Sequence, residues 1–135
     1  MKRIIQLFFS AGIVYMFLGV LLGGLISSGP LATYAETEAG HWIEAEHAFI
    51  NFIGFFSFLL MGIVYHVLPS LSGKSPSKLL AIISFVILNA GLLLMILFTA
   101  VKSLNHLPVS FAIMTGGLLL TLGYFIFGWN VLKNL

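Results

Sequence analysis

The chain has no cysteine. That one absence removes disulfides, thiolate metal sites, iron–sulfur clusters and covalent c-type haem attachment. Charge is almost as scarce, at 7% of 135 residues, where soluble domains carry roughly a quarter. The acids are confined as well as few: Glu36, Glu38, Glu44 and Glu46 fall within eleven residues. Buried acids are the usual carriers of protons across membranes, and the other apolar runs of the chain have none, which argues against proton pumping. The sequence also lacks a Ser–His–Asp or Cys–His grouping, a Gly-rich phosphate loop and paired intramembrane carboxylates. Its six basic residues are scattered singly or in pairs, so nothing points to a nucleic-acid partner.

Apolar residues fill the space that charge leaves, at 60% of the chain and a mean hydropathy of +1.13. A bilayer-spanning helix needs about 20 mainly apolar residues. Residues 4–26, 42–68, 79–101 and 109–131 each meet that length. The segments between them, SSGPLATYAETEAGH, PSLSGKSPS and KSLNHLP, are rich in Pro, Gly, Ser and charge, as connections should be. The expectation is an all-α integral membrane protein, a single domain over residues 1–135. Four helices with short connections form an up-down-up-down bundle. Placing both termini in the cytoplasm puts Lys2, Arg3, Lys74, Lys78 and Lys133 inside and only Lys102 outside, in accord with the positive-inside rule. Thr33-Tyr34-Ala35 resembles a weak processing site, yet the apolar run over 4–26 is far longer than the roughly 7–15 residues of a signal-peptide core.

Small residues let membrane helices approach closely. Gly19 and Gly23 form a GxxxG pair in the first run, and Ser110, Thr115, Gly116, Gly117, Gly123 and Gly128 crowd the fourth. Asn89, near the middle of the third, predicts an interhelical hydrogen bond.

The second run contains the candidate site. His47 opens an otherwise apolar helix, and an ionisable group kept at membrane depth points to function. At 100° per residue, Asn51, Gly54, Phe58, Met61 and Tyr65 lie on the same face as His47. An imidazole, an amide, a gap without a side chain and soft walls could hold a flat macrocycle. The same face suits a helix–helix contact with Gly54 at the crossing. Other polar groups suggest less. Glu44 and His47 have the Glu-x-x-His spacing of di-iron bundles, but no other helix supplies a carboxylate. His41, Glu44 and His106 fall on the outer side and could hold copper or zinc, or simply form a solvated loop. His66 reads as an interfacial residue beside Pro69.

The run His47-Ala48-Phe49-Ile50-Asn51 followed by Gly54, and the ending Gly62-Ile63-Val64-Tyr65-His66-Val67-Leu68-Pro69, resemble a haem-ligand helix of the haem-copper oxidase and nitric oxide reductase catalytic subunit. The closest likeness is to small four-helix homologues of that subunit. Gly116-Gly117-Leu118 through Trp129-Asn130-Val131 is similar to the glycine-rich fourth helix of the same family. The large subunit is built from three four-helix pseudo-repeats, and this chain resembles one of them. The resemblance implies a homo-oligomer, trimer or dimer, in the cytoplasmic (inner) membrane, with a b-type haem in clefts between units. It implies His47 as axial ligand, Asn51 and Gly54 in the haem pocket, and electron transfer or the binding of nitric oxide or oxygen in partnership with a respiratory chain. Relatives often carry His-x-His where this sequence has Phe49, leaving one ligand per chain. The three-histidine copper site of the oxidases has no counterpart. A cofactor-free accessory subunit of a respiratory complex is the alternative expectation.

Overall fold

Apolar Leu, Ile, Phe and Val runs satisfy their backbone internally as helices, and a computed structural model of the chain shows that outcome. It describes residues 1–28, 31–38, 40–105 and 110–135, with only the backbone described at 103–105. Helix α1 spans Lys2–Ser28, and a single turn, α2, spans Ala32–Ala35. Helix α3 covers His41–Phe49, passes into a π-helical segment at Ile50–Ser57 and continues as α4, Phe58–Ser72. Helices α5, Lys78–Asn105, and α6, Ser110–Leu132, complete the chain. Four helices are long and apolar enough to cross a membrane, the fold of a multi-pass membrane protein. No strand occurs among the described residues.

The second span is longer than the composition suggested. Pro69 was expected to begin a connection, but α4 runs through it to Ser72. Proline removes a donor and crowds the preceding turn, yet here the helix stops only at Gly73. That residue takes φ 70°, and its N–H closes on the Pro69 carbonyl at 3.1 Å. Glycine at the left-handed position just past a helix is the usual end signal.

Helix α1 lies along the π segment and α4, α3 crosses onto α5, and α5 carries α6. An aromatic cluster joins the first three spans. Phe8 meets Phe85, Tyr65 and Phe58 with ring centroids 5.1, 5.5 and 5.7 Å apart, and Tyr15 meets Phe58 at 5.6 Å. The pairs of Phe8 with Tyr65 and Phe85 are edge-on, an arrangement that adds roughly 0.5–1.5 kcal/mol each. Asn89 behaves as expected, accepting a hydrogen bond from the Tyr15 hydroxyl across the α1–α5 contact at 2.9 Å.

Asn130 ties the far end of α6 to the turn before α5. Its Oδ1 accepts from the Ser77 N–H at 2.9 Å, and its Nδ2 donates to the Ser77 carbonyl at 3.0 Å and the Tyr65 hydroxyl at 3.3 Å. The side chain is wholly buried. Asn130→Ala strands the Ser77 N–H, while the Ser77 carbonyl keeps the Ala81 N–H at 3.1 Å, so unfolding in detergent followed by circular dichroism should show a loss of about 1–3 kcal/mol. An unchanged midpoint would mean that the amide clamp contributes nothing.

Candidate functional site

His47 and Asn51 meet on the notch that glycine leaves in α1. A Cβ on Gly23 would fall 2.7 Å from His47 Cε1, and one on Gly19 would fall 2.5 Å from Asn51 Oδ1. The GxxxG pair is therefore the surface on which the two polar side chains of the second span rest. Both are half-buried. Asn51 Nδ2 lies 3.2 Å from Nδ1 and 3.3 Å from Nε2 of His47, within reach of whichever ring nitrogen holds the lone pair. The same amide donates to the His47 backbone carbonyl at 2.8 Å.

The backbone explains why an asparagine suits this place. Immediately after His47 the helix widens into the π segment, where donors reach back five residues. The Ile50 N–H is shared between the Glu46 and His47 carbonyls, and the Ser57 hydroxyl reaches the Phe52 carbonyl at 2.8 Å. The His47 carbonyl takes a share of the Ile50 N–H, and Asn51 adds a second donor to it. Segments of π helix within α-helices occur frequently at functional sites.

The face predicted below His47 is closed further down. Gly54 is covered by Tyr15, whose ring carbon Cγ would lie 2.6 Å from an added Cβ. Phe58 is wholly buried among Phe8, Tyr15 and Phe85, and Met61 and Tyr65 continue the core. Phe49 is half-buried and packs against the same core. Within one chain, then, His47 and Asn51 retain exposed edges, while Gly54 and Phe58 belong to the helix–helix contact. A haem does not fit between them and α1. The chain supplies a donor nitrogen and an amide to orient it, but no complete pocket.

Glu46 is the residue that sequence reasoning missed. It drew notice only as one of four clustered acids, but it is 7% exposed, and its Oε1 has no hydrogen-bond partner among the described residues. Ile43, Glu46, Ile50 and Gly54 form the buried line of this stretch. The sequence held the signal, since 43, 46 and 50 follow the i, i+3, i+7 spacing of a core face. One turn away along α3, the ring of Trp42 receives the Lys102 ammonium at 3.8 Å, a cation–π contact that fastens α3 to α5. Glu46→Leu removes the unpaired oxygen and keeps the volume, so thermal unfolding in detergent should show a gain of about 1–3 kcal/mol. A loss would reveal a partner for the carboxylate.

The outer metal candidates come together only in part. His41 Nδ1 lies 3.3 Å from Glu44 Oε2, with both side chains more than half exposed. His106 lies outside the described residues. Among the described residues, no three His, Cys, Asp or Glu side chains gather closely enough to hold a metal ion. His66 is exposed at the other end of the span, as its place beside Pro69 suggested. No protein-family model, curated protein or solved structure matches the chain.

Proposed function

We propose that this protein is a b-type haem-binding protein of the cytoplasmic membrane. Its four spans run up-down-up-down with both termini inside, and His47 is the axial ligand. The observation that carries this reading is the half-buried imidazole near one end of an apolar span, with the Asn51 amide as its side-chain partner. Imidazole retained at that depth is costly without a role, and haem iron is commonly held by histidine. The adjoining π segment and the resemblance to one repeat of the haem-copper oxidase catalytic subunit support the same assignment.

The covered state of Gly54 and Phe58 limits where the group sits. The exposed edge of His47 would hold it, and a second copy of the chain would have to complete the pocket. Bound haem would supply a one-electron iron couple and, where the sixth position stays open, a site for a diatomic gas. The chain's own part is to hold one nitrogen in place. If Nε2 were given to iron, Asn51, held by its bond to the His47 carbonyl, would stay beside the ring and position it. With one ligand histidine per chain, a 1:1 haem-to-chain ratio would go with one protein ligand per iron, and a 1:2 ratio with two His47 side chains from a two-fold pair.

A second reading is favoured by the burial of Phe58: a cofactor-free accessory subunit whose polar interior only joins helices. The two part on the absorbance of protein purified from haem-sufficient cells. The haem reading expects a Soret band at a fixed ratio to chain. Colourless protein that leaves the membrane together with larger subunits would replace it with the second.

A further inference from the structure

At the opposite end of the molecule from His47, charge has one sign. Lys2 and Arg3 begin α1, Lys74 and Lys78 flank the turn between α4 and α5, and Lys133 follows α6. Asn130, three residues before Lys133, is bonded to Ser77 in that same turn, so these cations share an end. All four acids lie at 36–46. They lie toward the far end of α1, since Glu46 adjoins His47 on Gly23, roughly 30 Å or more away at 1.5 Å per residue.

Within this basic end a cleft of 530 Å³ opens between α1 and α4, lined by Lys2, Ile5, Gln6, Phe9 and His66. The α1 residues recur at i, i+3, i+4 and i+7, one continuous helix face, and His66 closes the cleft from α4. The lining divides by chemistry. Lys2, Gln6 and His66 are exposed at the rim, while Ile5 and Phe9 are half-buried and apolar. Among the described residues, the side chains of Lys2, Gln6 and His66 make no hydrogen bond or ion pair. The cleft therefore gathers an ammonium, an amide N–H and an imidazole with unused donors, above an apolar wall, where a membrane helix leaves the bilayer.

We infer that this cleft seats the headgroup of an anionic phospholipid. Its phosphate oxygens accept from Lys2, Gln6 and His66, and the start of an acyl chain lies on Ile5 and Phe9. The one-signed end selects for negative charge, since juxtamembrane basic residues are drawn to anionic leaflets. The apolar wall favours a lipid over a small soluble anion. This site is separate from His47, and its test does not depend on haem.

The experiment is native mass spectrometry of the full chain in neutral detergent, titrated with phosphatidylglycerol or phosphatidylcholine. The wild type should retain one phosphatidylglycerol per chain at least about fivefold better than phosphatidylcholine. The double variant Lys2→Gln/His66→Gln should lose that preference. It should fold normally, since neither side chain bonds to its neighbours. Lys133→Gln removes a cation from the same end but outside the cleft, and should keep wild-type retention. Three results would overturn the proposal: equal retention of the two lipids, an equal loss in Lys133→Gln, which points to diffuse surface attraction, or displacement of bound lipid by millimolar inorganic phosphate, which makes the occupant a free anion.

Discussion

Gly91→Ala should separate α5 from α6 and cost at least about 2–3 kcal/mol, the upper part of the range for overfilling a packed site. The added Cβ falls 2.9 Å from the Gly116 carbonyl oxygen, 2.9 Å from the Leu120 amide nitrogen and 3.1 Å from Leu119 Cβ. Two of these are backbone atoms, which cannot rotate out of the way, so whole helices must move. Between apolar helices in lipid the attraction comes chiefly from close packing, because the surrounding chains are equally apolar. Displacement therefore loosens the contacts that Leu88, Leu92, Met95 and Leu120 make along the seam. Helix α6 has little else to hold it beyond the Asn130 clamp and a few contacts with α4.

Glycines elsewhere on α6 supply the controls. An added Cβ on Gly117 meets nothing within 4 Å, so Gly117→Ala should be neutral or slightly stabilising. At Gly123 the Cβ meets the flexible Leu88 side chain, at 2.6 Å from its Cγ, and the cost should be intermediate. Unfolding of the three variants in mixed detergent, followed by helicity, gives the order. Equal midpoints for Gly91→Ala and Gly117→Ala would show that the seam is not where α6 is held.

The spans themselves were legible because length and hydropathy decide them, and the spacing of Gly19 and Gly23 correctly marked a close contact. The partners of those glycines were not legible: nothing in a GxxxG pair says that His47 and Asn51 will rest on it. The face drawn below His47 assumed an even 100° per residue. From Gly54 down that face holds, but at its upper end the buried line runs through Ile43, Glu46 and Ile50 and leaves His47 and Asn51 half-buried. Glu46 was obscured for a different reason, since its place in a cluster of four acids hid its place on the core face. Pro69 misled at the boundary because a proline can be carried within the last helical turns when a left-handed glycine ends the helix behind it. In each case a local rule was overridden by a contact or a turn several residues away.

His47→Ala should abolish the Soret band of the purified protein, and the pattern around it separates ligand from scaffold. Asn51 touches the imidazole, so Asn51→Leu should weaken haem retention about 10–100-fold, as removal of a ligand's orienting partner does. It should also shift the band, through the lost hydrogen bond to the ring. Phe58→Leu gives the opposite signature. Phe58 is enclosed by Phe8, Tyr15 and Phe85, so shrinking it should lower the unfolding midpoint while leaving the spectrum where it was. A spectral shift in Phe58→Leu would place the macrocycle inside the chain, against a face that α1 covers in this fold. On the haem proposal, stability and colour should vary independently along one helix: Phe58 should govern the first, His47 the second, and Asn51 chiefly the second. An unchanged band in His47→Ala would sink the haem assignment and leave the imidazole as a packing group on Gly23.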